Sequence, residues 1–180
     1  MSIELIDLHK SFADKHILRG FSLSVPDGDT TALVGFSGAG KSVTLKHIVR
    51  LLEPDSGTVR VDGRDVPTLK REELYELRLQ VGYVFQFAAL FDSMTIAENL
   101  AMGLEKQGGH SLDDIRKRVR ESLELVELEG FEDRLPAELS GGQRKRAGLA
   151  RAIAFRPKYL LYDEPTSGLD PVTTLSLIHI

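Results

Sequence analysis

The N-terminal third of the chain reads as short strands separated by turn residues. "IELIDL" (3–8), "FSLSV" (21–25, closed by Pro26) and "TTALV" (30–34, running into a glycine loop) are candidates. "GTVRVDG" (57–63) alternates apolar and polar residues, which suits a half-buried strand, while "VGYVF" (81–85) is mostly apolar and suits a more buried one. After the glycine loop, Val43, Leu45, Ile48 and Val49 follow a helical pattern. Further on, Ser111 and Asp114 form a capping pair, and Ile115, Val119, Leu123 and Val126 recur behind it at helical spacing. "EGFEDRLPAE" breaks that pattern. A second helix is predicted from Gly141 to about Phe155, then a strand at "KYLLY". Strands alternating with helices predict a parallel α/β core, and the early strands look antiparallel, so a mixed sheet is expected.

Composition adds limits. The 180 residues suffice for one domain with a substantial core, and 42% hydrophobic with 28% charged residues is an ordinary soluble mixture. No stretch approaches the length needed to cross a bilayer, and the first residues do not resemble an export signal. There are no cysteines, which excludes disulfides and thiolate metal sites. A net charge of -4 gives no broad electrostatic reason to expect nucleic acid as a partner.

"GFSGAGKS", from Gly35 to Ser42, fits G-x-x-x-x-G-K-[ST] at every fixed position, between a predicted strand and a predicted helix. Glycines let the backbone wrap closely around phosphate and turn N–H groups inward. The loop feeds a helix N-terminus, whose partial positive charge favours an anion. Phe36, Ser37, Gly38, Ala39, Gly40 and Val43 complete the cradle, Lys41 supplies a compact cation for the outer phosphates, and the Ser42 hydroxyl can ligate Mg²⁺.

"KYLLYDEP" is an apolar strand ending in two carboxylates. In open α/β sheets, ligands sit beyond the carboxyl ends of the strands. Asp163 there can hold Mg²⁺ through its hydration shell. Glu164, one residue on, can orient an attacking water and accept its proton. An acidic turn capping a buried strand, stopped by Pro165, is the plainer alternative.

"LSGGQRKRAGLARAI" opens with Ser140 and Gln143 as a capping box. The helix behind it carries a basic face of Arg144, Lys145 and Arg151. Gly141 and Gly142 occupy the first turn, where glycine costs helix stability. Bare backbone at a capped helix N-terminus offers a second anion site. One nucleotide needs both sites only if two chains meet head to tail, each giving its serine turn to the other's γ-phosphate.

Together these motifs resemble the ATP-binding subunit of ABC transporters, over residues 3 to 174. "LSGGQ" (139–143) matches the family signature, "GFSGAGKS" its Walker A and "YLLYDE" its Walker B, with Glu164 as the catalytic carboxylate. Ser167, Gly168, Leu169 and Asp170 resemble its D-loop. Gln86 falls at the Q-loop glutamine, which touches Mg²⁺ and the water. Phe12 sits where the family places an aromatic, often Tyr, to stack on adenine; the alternative is an ordinary core Phe. The resemblance implies a P-loop NTPase with a mixed or parallel core sheet, an N-terminal antiparallel β subdomain and a helical subdomain at about 88–156. It also implies ATP and Mg²⁺ as cofactors, and catalysis by Glu164, Lys41 and Gln86, with Ser42, Gln86 and Asp163 at the metal. The implied partners are a second copy in an ATP-dependent dimer and an integral-membrane permease. Such a subunit has no membrane insertion of its own and lies on the cytoplasmic face of the bacterial inner membrane.

A narrower resemblance is to the Mla and Mce-associated ATPases, which energise phospholipid movement between bacterial membranes. It rests on "FQFAALFDSMTIAENLAMGL", "GKSVTLKHIVRLL" and the run from "LPAELSGGQ" to "GLDPVT". Many of those members have Met where this chain has Gln143. The apolar "FAALF" after Gln86 would lie where family members dock a permease coupling helix, or would pack as core. Non-transport ABC proteins are the competing class, but Gln86 and Ser140 are too close for a repair-type coiled-coil insertion. A nucleotide-binding module without turnover is the third expectation. Leu175 to Ile180 match the translation of a transposon end used to tag DNA fragments. A non-native tail after an ABC domain spanning 1–174 is therefore expected, with the switch histidine missing and the 180-residue chain folding and turning over ATP poorly.

Overall fold

The computed structural model describes residues 2–164. The chain divides into two compact units, one ending at Arg78 and the other beginning at Leu79. The D-loop, Ser167 to Asp170, and the tail at 175–180 lie outside the described residues.

The first unit is built on an antiparallel sheet in the order β2-β1-β3-β4. Strands β1 (Ser2–Phe12) and β2 (Lys15–Pro26) form a hairpin running from the Ser2–Pro26 pair to the Phe12–Lys15 pair. Strand β3 (Ser56–Val61) pairs with the other edge of β1, and the short β4 (Arg64–Asp65) closes the row. Alternation places Ile3 and Leu5 of β1 and Val59 and Val61 of β3 in the core, where they are essentially fully buried. Helix α1 (Lys41–Ile48) contributes His47 and Ile48 to that interior, and α2 (Arg71–Leu79) contributes Leu74 and Leu77. After α1, Arg50 fixes the chain by donating from Nη1 to the carbonyls of Val66 (3.2 Å), Pro67 (3.3 Å) and Leu69 (2.7 Å).

One predicted strand is not present. Residues 30–34 have no regular structure, and Val34 is 94% exposed. A strand persists only where a neighbour takes up its N–H and C=O groups. Neither described sheet contains a ladder to this segment. Apolar composition alone does not hold it extended.

The second unit pairs β5 (Val81–Val84) with β6 (Tyr159–Tyr162) in parallel, from Val81–Tyr159 to Val84–Tyr162. Parallel strands need a long crossover. Here it carries α3 (Ile96–Gln107), α4 (Leu112–Leu125) and α5 (Gly141–Ile153). Ile96, Leu100 and Leu104 of α3, Ile115, Val119 and Leu123 of α4, and Ala147, Leu149 and Ala150 of α5 form one buried cluster. All three helices open with a reciprocal capping box: Thr95 with Glu98, Ser111 with Asp114, Ser140 with Gln143. The last two are the pairs read from the sequence, and α5 begins at the predicted Gly141. The antiparallel and parallel components are both present, as two separate sheets among the described residues.

Candidate functional site

The phosphate-type loop belongs to the first unit. It enters α1 through Gly40, whose φ of +95° is left-handed and whose Cβ, if it had one, would stand 3.0 Å from Ile17 Cγ2 and Leu18 Cδ2. The left-handed φ favours glycine there, and any Cβ would also have to push those two side chains aside. Lys41 and Ser42 are the first two residues of α1. Lys41 Nζ folds back over the loop and donates to the carbonyls of Gly35 (3.1 Å) and Phe36 (3.2 Å), and Ala39 N donates to Phe36 O at 3.1 Å. The ammonium thus sits on the loop that precedes its own helix. Phe12 ends β1 and is 45% exposed, with Lys10 Nζ 5.5 Å from its ring centroid. That excludes the core-Phe alternative.

The carboxylates belong to the second unit, immediately after β6. Asp163 N donates to Val84 O at 2.9 Å, which continues the ladder one step past the strand. The Asp163 side chain is buried, and its Oδ2 accepts from the Tyr83 hydroxyl at 3.1 Å. Burial first, then the neighbouring Asp163 charge, push the Tyr83 hydroxyl well above its ordinary pKa, so it stays a neutral donor. Glu164, at a left-handed φ of +50°, accepts from Gln86 Nε2 at 3.3 Å. The structure therefore brings together two residues singled out separately, Gln86 and Glu164. Tyr83 escaped notice, because only its place at the predicted buried strand hinted that its hydroxyl needs a partner.

The segment following Gln86 is tied to α5 and α3. Ala88 and Ala89 both have left-handed φ, +60° and +51°. Arg151 of α5 donates from Nη1 to Ala89 O, and Ala88 packs on Gly148. Burial lowers the pKa of the Arg151 guanidinium. Asn99 of α3, fully buried, accepts from Phe91 N (2.7 Å) and donates to the carbonyls of Phe91, Met94 and Thr95. Within the "FAALF" stretch Ala88 is buried, whereas Phe87 is 84% and Phe91 49% exposed, so the stretch does not pack wholly as core.

At the start of α5, Ser140 Oγ accepts from Gln143 N (3.2 Å) and Gln143 Oε1 accepts from Ser140 N (2.8 Å). Among the described residues, and apart from the helix's own backbone and Gly141's chain neighbours, nothing lies within 4 Å of where a Gly141 Cβ would be. The helix tip is thus capped by Ser140 and open at Gly141. Lys145, one turn on, has its pKa lowered by burial, an effect opposed by the charge of Glu164.

The donors fit Mg²⁺ in kind. A carboxylate, a hydroxyl and an amide oxygen are hard ligands, and the Asp163 carboxylate is buried against a neutral phenol. Among the described residues no cluster of three His, Cys, Asp or Glu forms a dedicated metal cage. Mg²⁺ usually takes one or two carboxylates and fills its octahedron with waters and phosphate oxygens. No helix among the described residues is long and apolar enough to cross a membrane.

A family model described as ABC transporter matches residues 18–167. The probable ribonucleotide transport ATP-binding protein mkl of Mycobacterium leprae is 45% identical over 98% of this chain and 51% of its own length. Protein trigalactosyldiacylglycerol 3, chloroplastic, of Arabidopsis thaliana is 44% identical over 96% and 52%. The methionine import ATP-binding protein MetN 1 of Pseudomonas putida is 45% identical over 99% and 54%. The chain spans about half the length of these curated relatives. Among solved structures, the dimeric post-hydrolysis state of the ATP-binding cassette MJ0796, bound to ADP and Pi, superposes with a TM-score of 0.90 at 33% identity, over 98% of this chain and 80% of that one. The fold is that of a P-loop NTPase cassette, and the chain belongs to the ABC transporter ATP-binding family.

Proposed function

We propose that this chain binds ATP with Mg²⁺ and hydrolyses it, energising phospholipid transport through a membrane permease. The observation that carries the ATP reading is the complete Gly35–Ser42 loop feeding α1 through left-handed Gly40, with Lys41 poised over it. Backbone N–H groups of Ser37 to Val43 and the Lys41 ammonium hold the β- and γ-phosphates. Phe12 stacks on the adenine. Ser42, Gln86 and Asp163 would hold Mg²⁺, which would neutralise charge on the outer phosphates. Glu164 orients the attacking water and accepts its proton, and Gln86 holds the Glu164 carboxylate in place. The Ser140–Gln143 tip of a second copy closes on the γ-phosphate. The MJ0796 cassette, a dimer bound to ADP and Pi, supports that arrangement.

Phospholipid as cargo is supported by the "FQFAALF" and "GKSVTLKHIVRLL" stretches, which resemble Mla and Mce-associated ATPases, and a lipid cargo more generally by a relative whose name contains a galactolipid. The names of other relatives point to ribonucleotides and methionine. Phosphate release from ATP tests the first half: Glu164→Gln is expected to lower turnover at least about 100-fold while ATP binding persists. An unchanged rate refutes the assigned role. The second half needs the cognate permease, reconstituted with this chain in vesicles and offered labelled phospholipid, methionine or ribonucleotide. ATP-dependent movement of either small cargo and not of lipid overturns the lipid reading.

A further inference from the structure

We infer that Tyr83 is a positioning residue for magnesium: its hydroxyl fixes the Asp163 carboxylate in the one orientation that serves the ion. The inference rests on the ATP and Mg²⁺ reading above. Asp163 is held at two points by the same neighbouring strand. Val84 O accepts its backbone N–H at 2.9 Å, and the Tyr83 hydroxyl donates to its Oδ2 at 3.1 Å. Both contacts come from β5, whose parallel register with β6 sets Tyr83 opposite Leu161 and Val84 opposite Tyr162. The Tyr83 ring is itself immobilised. It is 9% exposed and stacks on Phe85 with centroids 4.2 Å apart and planes 28° apart.

The chemistry of the donor matters. A phenol is neutral, so it orients a carboxylate without cancelling its charge, which a lysine or arginine in its place would do. It also commits Oδ2, so that the carboxylate cannot spin and its charge is presented from a fixed position. A buried carboxylate that lost this donor would lose a hydrogen bond that restrains its χ2. Partners that orient a metal-binding carboxylate commonly change metal affinity by about 10-fold or more when removed.

Binding of a fluorescent ATP analogue to the protein, first in EDTA and then across a Mg²⁺ titration, tests this. Tyr83→Phe keeps the ring and removes only the hydroxyl. The expected result is unchanged nucleotide affinity in EDTA and an about 10-fold rise in the Mg²⁺ concentration for half-maximal effect. In an Asp163→Asn background, Tyr83→Phe is expected to add nothing. An identical Mg²⁺ titration for wild type and Tyr83→Phe overturns the inference while leaving the ATP reading intact. A wild type that binds no nucleotide overturns both. Should Tyr83→Phe unfold, 3-fluorotyrosine placed at position 83 retains the hydroxyl. Its ¹⁹F resonance is expected to shift when Mg²⁺ is added to the nucleotide-bound protein, and a resonance that does not respond overturns the inference.

Discussion

Gly148 of α5 lies against Ala88 so closely that a Cβ on the glycine would stand 2.9 Å from both Ala88 Cα and Ala88 Cβ. One of those atoms is backbone, and Ala88 is already in the left-handed region, so the loop has little room to yield. Alanine would regain about 1 kcal/mol of helix propensity. Valine regains less and clashes more. Gly148→Val is expected to cost about 2 kcal/mol or more, visible as a lower urea midpoint with an unchanged slope.

Asn99 makes four hydrogen bonds that hold residues 91–95 to the start of α3. Asn99→Leu fills the space but takes from Phe91 N and Met94 O the partner the amide gives them, while Phe91 O and Thr95 O keep Met94 N and Asn99 N. A loss of about 2–4 kcal/mol is expected, with faster amide exchange at Phe91 and little change in helices away from it. Protection at Phe91 equal to wild type would remove the assigned role.

His47 gives the first unit a pH limit. Its ring is buried, and Nδ1 donates to Val43 O at 2.6 Å. Burial first, then the charge of Lys10, lower its pKa below the ordinary histidine value, against the opposing pull of the Val43 carbonyl and Asp55. The folded state therefore favours the neutral ring. The stability this contributes is complete above the unfolded pKa, about 6.5, and falls as pH drops through that value toward the folded pKa. Urea midpoints at about pH 7.5 and 5.5 are expected to differ more for wild type than for His47→Gln. Parallel curves would show that another group controls the acid limb.

Ser140 has a capping duty in its own chain and a proposed phosphate duty toward a second copy, and the two are separable. Ser140→Ala loses the cap and is expected to cost about 1 kcal/mol. Ser140→Asp restores a good cap but sets a carboxylate where the γ-phosphate would approach. Its thermal midpoint is expected to stay near wild type while ATP-dependent dimers vanish in sedimentation. Normal dimerisation of Ser140→Asp would remove the proposed contact.

Helix starts are the part of this fold most legible in the sequence. Ser111 with Asp114 and Ser140 with Gln143 carry their signal within four residues, and both boxes form as read. The strand expected at 30–34 fails because strand formation depends on a partner that local composition does not encode. The same divide runs through the candidate site. The Gly35–Ser42 loop is contiguous and therefore readable. The Tyr83 hydroxyl meets Asp163 across 80 positions of sequence, and the Gln86–Glu164 bond spans 78, so only the paired strands disclose them. Asn99 looks like an ordinary polar helix residue until its burial is seen, and Arg151 until its bond to a loop carbonyl is seen.

The parallel ladder also sets an order of assembly. The β1–β2 hairpin closes over a tight turn and can form as soon as its residues leave the ribosome. Strands β5 and β6 cannot meet until the whole helical segment between them has been made, and long-range pairing of that kind is slow. Asp163 and Glu164 therefore reach Tyr83, Val84 and Gln86 only after that segment has been made. A nascent chain carries its phosphate-type loop well before it carries the carboxylates.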